Sequence, residues 1–310
     1  GGVMPRPSAD ARPDAPERSH SNSLERSLAT VQHRGMESPS VPRHPISLLP
    51  LQLGVAGADA VTVRKDLRPL EGCPAIDVYE PAGSTGAPRP WVLFVNGLSD
   101  AGARRILGCA IKDMASYESW GRAMAASGIV AIAHATERDP ASDLRDVWAM
   151  LQRCADELGL ARDRAAVWAC SSHVPNALGL LLDATAPISA AVLCYGYMLD
   201  LDGSDGVADA QRTWRFANPA AGRGVSDLAP VPTLIVRAGR DDTPHLNASI
   251  DVFVRHALAA NVPLTLVNHP DGVHAFDLTD ASPAGLRVVM QILEFVTRHL
   301  AAGRYSSSSA

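Results

Sequence analysis

The sequence predicts an α/β fold in which one mostly parallel, eight-stranded sheet is covered by helices on both faces. From about residue 46 onward, apolar runs of strand length alternate with longer segments of helical periodicity. No internal repeat interrupts this alternation, which is typical of parallel sheets. Because functional residues of such sheets lie beyond the carboxyl ends of the strands, we expect the chemistry in the loops that follow them.

Eight apolar runs and five stretches of helical periodicity make up the pattern. We expect the first two strands to pair antiparallel around a Pro/Gly turn. The helix at 143–158 has Ser142 as its expected N-cap and ends at Gly159. The predicted strands are 61–67, 75–79, 91–96, 129–133, 165–169, 188–195, 232–238 and 263–267, and the predicted helices are 117–126, 143–158, about 174–184, 247–260 and 284–302.

Composition excludes several classes of protein. The 310 residues are 46% hydrophobic and 20% charged, which is ordinary globular composition and enough for a sizeable core. Acidic and basic residues are interspersed around a net charge of −5, so we expect no nucleic-acid partner. No apolar run approaches the length of a membrane span, and we expect no membrane partner. A homodimer is left open as the assembly.

The ends of the chain differ in composition from its middle. Residues 1–45 are rich in Pro, Arg and Ser with little periodicity, and we expect a disordered N-terminal arm. Residues 46–302 are expected to form one domain, and 303–310 a flexible tail. The arm has no apolar segment of the kind found in signal peptides, so a cytoplasmic location is expected.

The cysteines are odd in number and mostly embedded in apolar runs. They show neither CxxC nor Cys/His spacing, so we expect buried free thiols and neither a disulfide framework nor a metal site. The five are Cys73, Cys109, Cys154, Cys170 and Cys194.

The segment 165–177 contains a candidate nucleophile. An apolar strand-like run breaks on small residues, and a helical pattern resumes with Pro175 in its first turn, where a missing N–H does no harm. A serine at the apex of such a strand–turn–helix unit is exposed as a nucleophile in proteins with the signature G-x-S-x-G. Here residues 169–173 read Ala-Cys-Ser-Ser-His, a degenerate match. The competing interpretation is a serine-rich helix N-cap without chemistry.

Side-chain size ranks the three candidate nucleophiles in this turn. The residues two before and two after a nucleophile pack where strand and helix nearly touch, so small side chains are expected there. Cys170 would have a tryptophan at the first of these positions, and Ser172 would have a β-branched valine at the second. Ser171 is flanked by an alanine and by His173. We therefore favour Ser171, with Ser172 as the alternative.

Two later strand ends supply the partners that a serine nucleophile needs. An imidazole must take the hydroxyl proton, and a carboxylate must orient that imidazole. Asp241 and Asp242 follow the strand at 232–238; we favour Asp241 and expect Asp242 to cap the next turn. His269 and His274 follow the last strand. We favour His274, because a glycine two residues before it lets the loop turn.

The transition state of acyl transfer also needs donors for its oxyanion. One is expected from the backbone N–H of Ser172 at the start of the helix. The other is expected from the N–H of Leu98 in the loop after strand 91–96, where Gly97 lets the backbone turn its amides inward. Asn96 and Gly97 are also expected beside the substrate, as are Tyr117 and His173.

At these residues the chain resembles the α/β-hydrolase superfamily, and within it the dienelactone hydrolase-like branch, from about residue 61 to 300. The resemblance rests on Phe-Val-Asn-Gly at 94–97, Trp-Ala-Cys-Ser at 168–171, Gly-Arg-Asp at 239–241 and His-Ala-Phe at 274–276. The order Ser, Asp, His is also that of the family. Three features depart from its pattern. Asn96 stands where histidine is usual, His173 stands where glycine is usual, and dienelactone hydrolases use a cysteine one position after Cys170.

The resemblance implies a cofactor-free serine hydrolase that forms an acyl-enzyme on small or medium carboxylic esters. It also implies a small cap at 201–229, with Trp214 and Phe216 lining the acyl pocket. Thioesterase, lactonase, peptidase or C–C hydrolase activity would use the same triad. A non-catalytic homologue that binds a small ligand is the alternative from another class.

Overall fold

The computed structural model describes residues 41–51, 53–83, 86–183 and 185–301, and its centre is an eight-stranded sheet. The order across the sheet is β1-β2-β4-β3-β5-β6-β7-β8. β2 is antiparallel to both of its neighbours, and the pairs from β4 to β8 are parallel. The strands are β1 (Thr62–Leu67), β2 (Ile76–Glu80), β3 (Arg89–Val95), β4 (Val130–His134), β5 (Leu160–Cys170), β6 (Ile188–Cys194), β7 (Thr233–Ala238) and β8 (Leu264–His269).

Helices connect the strands within the described part of the chain. The α-helices are α1 (Asp100–Leu107), α2 (Ala115–Ala126), α3 (Pro140–Arg153), α4 (Val174–Leu181), α5 (Gly206–Trp214), α6 (Leu246–Ala259) and α7 (Pro283–Ala301). Short 3-10 helices are found at Pro45–Leu48, Ala58–Ala60, Ile111–Asp113, Ser171–His173, Val225–Asp227 and Phe276–Leu278.

The two faces of the sheet bury different side chains, as the alternation along β5 shows. Val167 and Ala169 belong to the apolar cluster that packs against α3, α4 and α6. Trp168 points to the other face, where its ring lies 5.5 Å from that of Trp120 in α2. Successive side chains of a strand point to opposite faces, so helices cover both sides of the sheet. The predicted fold class is confirmed.

Several helix boundaries in the structure differ from the predicted ones. The helix predicted at 143–158 begins at Pro140, because the Asp139 carboxylate, and not Ser142, caps it by accepting a hydrogen bond from the Ser142 N–H at 2.9 Å. It ends at Arg153, five residues early. Two helices were not predicted. One is α1, capped by Ser99; the other is α5, inside the predicted cap.

The predicted arm and tail lie almost wholly outside the described residues, which begin at 41 and end at 301. None of the helices in the described ranges combines the length and the apolar content needed to cross a membrane.

Candidate active site

The ends of three strands bring together the three predicted triad residues. Ser171 lies directly after β5, and its Oγ is 2.8 Å from Nε2 of His274 in the loop after β8. The Nδ1 of the same ring is 2.8 Å from Oδ2 of Asp241 in the loop after β7. Hydroxyl, imidazole and carboxylate are therefore connected by two hydrogen bonds in one chain. This geometry can move a proton from the hydroxyl to the ring.

The turn that presents Ser171 is strained, and its neighbours make room for it. Ser171 has φ +54°, in the left-handed region, which costs a non-glycine residue about 1–2 kcal/mol. A Cβ on Gly97, after β3, would lie 2.9 Å from the Ser171 Cβ. A Cβ on Gly196, after β6, would lie 2.6 Å from the Ser171 carbonyl oxygen. Glycines on the two adjacent strand ends therefore allow the sharp turn, although the motif itself contains none.

His173, at the position where glycine is usual, lies in the protein interior. Its side chain is buried, and its ring hydrogen-bonds to the backbone carbonyl of Asn96. Burial lowers the pKa of His173 to about 4, and the hydrogen bond to Asn96 opposes this shift. The ring is therefore neutral at neutral pH and lies beneath the turn.

Asp241 is held as a carboxylate at the base of the triad. Its side chain is fully buried, and its second oxygen accepts a hydrogen bond from the Thr243 N–H at 3.0 Å. Burial raises its pKa, but the hydrogen bond and charge of His274, together with hydrogen bonds from the side chain and backbone of Thr243, outweigh this effect and leave the pKa below its usual value. Asp242 was expected to cap this turn. Asp241 accepts that N–H instead, and Asp242 is exposed.

The alternative histidine, His269, pairs with a carboxylate outside the triad. His269 is the last residue of β8, and its Nε2 lies 2.8 Å from Oδ2 of Asp280. The ring is buried and packs edge-on against Phe276, with centroids 4.9 Å apart. This pair ties the two ends of the loop that carries His274.

The loop after β3 is fastened to the serine turn. The Ser172 hydroxyl donates to the carbonyl of Gly97 at 2.7 Å, so the backbone that carries Leu98 lies next to the start of α4. The N–H groups of Ser172 and Leu98 thus belong to two segments that are bonded to each other. Their role as oxyanion donors stays a prediction.

The residues expected to line the pocket are mostly buried. Tyr117 places its hydroxyl 3.4 Å from the Cys170 sulfur, and Asn96 donates through Nδ2 to the His134 carbonyl at 2.9 Å. Phe216 stacks on Tyr197 with ring centroids 5.5 Å apart. Asn96, Tyr117, His173 and Phe216 are all less than 7% exposed, whereas Trp214 is partly buried against the core. The four buried residues make these contacts in the protein interior, and their place beside the substrate stays a prediction.

The thiol next to the serine is unsuited to nucleophilic attack. Burial raises the pKa of Cys170 to about 12, because a thiolate there would lose its hydration. All five cysteines are free, as predicted, and four of them are buried. Among the described residues, no group of His, Cys, Asp and Glu is arranged to hold a metal ion.

Sequence reasoning missed two residues beside His274. The ring of Tyr195 lies edge-on to the imidazole, with centroids 5.4 Å apart. The Tyr195 hydroxyl donates to the buried carboxylate of Asp277 at 2.5 Å. The signals were weak: Tyr195 closes a predicted strand at the functional edge, and Asp277 follows His274 by three residues.

No protein-family model matches the chain, and no curated protein is significantly similar to it. Many solved structures do match. A bacterial heroin esterase is 19% identical over 80% of this chain and 87% of its own, with a TM-score of 0.57. A hyperthermophilic esterase from the archaeon Pyrobaculum calidifontis is 18% identical over 82% and 88%, with a TM-score of 0.60.

A third match decides the architecture. It is an α/β hydrolase enzyme from a Medee basin deep-sea metagenome library, 16% identical over 77% of this chain and 99% of its own, with a TM-score of 0.55. The protein has the α/β-hydrolase fold. In this fold the active site lies at the carboxyl edge of the sheet. The Ser171–His274–Asp241 chain of hydrogen bonds lies at that edge.

Proposed function

We propose that this α/β-hydrolase-fold protein is a serine hydrolase that cleaves carboxylic esters of small to medium acyl groups. The observation that supports this most directly is the hydrogen-bond chain from Ser171 Oγ through both ring nitrogens of His274 to Asp241. The solved structures of similar fold include proteins titled as esterases, which agrees with the proposal.

The proposed reaction begins with attack by the Ser171 oxygen on the ester carbonyl carbon. His274 Nε2 takes the hydroxyl proton as the C–O bond forms, and the resulting imidazolium is stabilised by Asp241. The backbone N–H groups of Ser172 and Leu98 donate to the oxyanion of the tetrahedral intermediate. Collapse expels the alcohol, which receives the proton from His274 and leaves an acyl-serine.

Water completes the cycle by the same route. His274 removes a proton from a water molecule, whose oxygen attacks the acyl carbonyl, and the second tetrahedral intermediate releases the acid and regenerates Ser171. No redox change and no external cofactor enter this scheme. All of its proton transfers pass through one imidazole, so a neutral ring is required at the start of each half-reaction.

The substrate class is proposed from the size of the segment between β6 and β7. That segment contains one short α-helix, α5, and the 3-10 turn Val225–Asp227, and its Phe216 is packed into the core. A short cap leaves an open site, which favours compact esters over long structured chains. Membership of the dienelactone hydrolase-like branch is part of the proposal and rests on the sequence motifs. In this chain the nucleophile is Ser171 where that branch has a cysteine. The neighbouring Cys170 is a buried thiol and does not take that role.

A fluorophosphonate probe and a series of nitrophenyl esters test the proposal. Wild-type protein is expected to label covalently and to hydrolyse short-chain esters, and Ser171→Ala is expected to lose both. Ser172→Ala, which removes a hydroxyl but keeps the backbone N–H, is the matched variant and is expected still to label. If the intact protein neither labels nor hydrolyses any chain length, the proposed hydrolase function is wrong. Equal labelling of Ser171→Ala would move the nucleophile to Ser172.

A further inference from the structure

A second buried carboxyl group lies behind the triad and has no role in the reaction proposed above. Asp277 is 5% exposed and lies in the 3-10 turn that follows His274. Its Oδ1 accepts a hydrogen bond from the Tyr195 hydroxyl at 2.5 Å, and its Oδ2 accepts one from the Trp120 indole N–H at 3.2 Å. Donors from the end of β6 and from α2 thus fix both oxygens.

The donors indicate the protonation state of this carboxyl group. An indole N–H can only donate, so Oδ2 of Asp277 must accept. The 2.5 Å separation between the Tyr195 oxygen and Oδ1 is in the range of charge-assisted O–H···O⁻ bonds. Burial raises the pKa of Asp277 above its usual value, and the hydrogen bonds of Tyr195 and Trp120 and the charge of His274 reduce this rise without cancelling it. Both oxygens therefore have the partners of a carboxylate.

The surroundings of Asp277 contain one group that becomes cationic during the proposed reaction. That group is His274, whose charge interacts favourably with Asp277. Burial, together with the charge of Asp277, raises the pKa of the neighbouring tyrosines and thiols, which keeps them neutral. These neutral neighbours are Tyr117 on α2, Cys170 on β5, and Cys194 and Tyr195 at the end of β6.

Tyr195 connects this carboxylate to the imidazole. Its backbone has φ +34°, and its N–H donates to the Val236 carbonyl of β7 at 2.7 Å, which fixes the ring at the strand end. One edge of the ring meets His274, while the hydroxyl meets Asp277. Other groups that contact His274 include the Ser171 hydroxyl from the β5 end, and Asp241 and Thr243 from the β7 end.

We propose that Asp277 is a positioning residue that acts on His274 as a second carboxylate: it anchors the histidine loop through Tyr195 and Trp120, and its charge stabilises the imidazolium formed during acyl transfer. The proposal rests on the esterase function proposed above. Asp241 is then the direct hydrogen-bond partner of the imidazole, and Asp277 is a more distant carboxylate that stabilises the charged form of the same ring. A residue that only holds the loop would lack the second effect.

The decisive measurement is the acid limb of the pH profile of kcat/KM for a nitrophenyl ester. In Asp277→Asn, the imidazolium loses a stabilising charge, so His274 releases its proton more readily and the limb moves about 1 pH unit lower. Tyr195→Phe keeps the ring but removes the charge-assisted donor, so Asp277 takes up a proton and the limb moves in the same direction. An anchoring role alone would lower the rate at every pH and leave the limb in place.

The matched control is Asp271→Asn. Asp271 is in the same loop and makes the same change of charge, but its side chain is 71% exposed and pairs with Arg240. Solvent screens its charge from the site, so its limb is expected to coincide with that of the wild type.

A second readout does not depend on activity. The titration of the His274 ring, followed by NMR of histidine-labelled protein and assigned with His274→Ala, is expected to shift as the kinetic limb does. If the wild type hydrolyses no ester, the proposed function fails while this titration still tests Asp277. If Asp277→Asn does not fold, Tyr195→Phe alone decides. An unshifted His274 titration in every folded variant overturns the proposal.

Discussion

Two histidines five residues apart, one at the end of β8 and one in the loop after it, each pair with an aspartate, and only one of them meets a nucleophile. His274 and Asp241 are separated by 2.8 Å, and so are His269 and Asp280. The His274 ring is 19% exposed and its second nitrogen reaches Ser171, whereas the His269 ring is 3% exposed and packs edge-on against Phe276.

The comparison shows that a His–Asp hydrogen bond does not by itself identify a catalytic pair. What distinguishes the pairs is the other side of the imidazole. His274 has a hydroxyl there and enough exposure for a substrate to approach, while His269 has an aromatic ring. One pair can transfer protons, and the other closes the loop that positions the first. Substitutions in the two pairs should therefore affect different quantities.

The largest difference is expected between the two histidines. His274→Ala removes the base and should lower kcat on the order of 10⁵-fold or more, with little change in folding stability. His269→Ala should leave kcat within about tenfold but lower the free energy of unfolding by about 1–3 kcal/mol, since it removes a buried ring that packs against Phe276 and its hydrogen bond to Asp280. Ester hydrolysis and urea unfolding of both variants check this. If His269→Ala lost most of its kcat and His274→Ala lost only stability, His269 would be the base.

The next largest effect is expected at the carboxylate of the triad. Asp241→Asn should lower kcat by about 10⁴-fold, because an amide no longer favours the tautomer with its proton on Nδ1. Asp242→Asn is the matched variant: it makes the same change one residue along, on an exposed side chain, and should stay within about twofold. Steady-state kinetics of the two variants decides, and a larger loss at Asp242 would reverse the assignment.

A third histidine, His173, differs from the other two because its hydrogen-bond partner is a neutral carbonyl. His173 has a folded-state pKa of about 4, well below the usual value of 6.5. The unfolded chain therefore binds its proton more tightly, so stability is complete above pH 6.5 and is lost as the pH falls toward 4. Between pH 7 and pH 5 this group alone should cost about 2 kcal/mol.

Urea unfolding at the two pH values tests this loss. The buried His134, whose pKa burial also lowers, adds to the wild-type loss in the same direction. The comparison is therefore with His173→Asn, whose loss between pH 7 and pH 5 should be smaller by about 2 kcal/mol. Equal losses in the two proteins would show that His173 is not buried as a neutral ring.

The smallest effect is expected at the acid of the loop-closing pair. Asp280→Asn keeps an oxygen that can accept from His269 but removes the charge, and should lower the free energy of unfolding by about 1 kcal/mol. The kcat of this variant should remain within about twofold of the wild type. Thermal unfolding and ester hydrolysis measure both quantities. A large loss of kcat without loss of stability would place this pair in the chemistry.

Much of the fold and the triad could be predicted because both depend on local pattern. The alternation of apolar runs gave eight strands near their observed positions, and the carboxyl ends of β5, β7 and β8 carry Ser171, Asp241 and His274. Boundaries were less predictable where side chains compete for the same backbone groups. Asp139, and not Ser142, caps α3, because its carboxylate reaches the free N–H of Ser142.

The site as a whole was less predictable because its support comes from residues far apart in the chain. Asn96, Tyr117 and His173 are less than 5% exposed, and their contacts with His134, Cys170 and the Asn96 carbonyl were not indicated by any local pattern. Tyr195 and Asp277 belong to no motif. They become neighbours of His274 only when β6 and the loop after β8 meet at one edge of the sheet.

By itself, the sequence determined the class of fold and the chemical types at its functional edge. The reason is that hydrophobic periodicity, and the succession of strands and helices along the chain, are local properties. Tertiary structure decided which of two adjacent serines, two adjacent aspartates and two histidines form one chain of hydrogen bonds. It also allowed a strained serine turn without glycines of its own, because Gly97 and Gly196 leave the space on the neighbouring strands. Distances of 2.8 Å between groups 33 and 103 residues apart are set by packing, which no local pattern specifies.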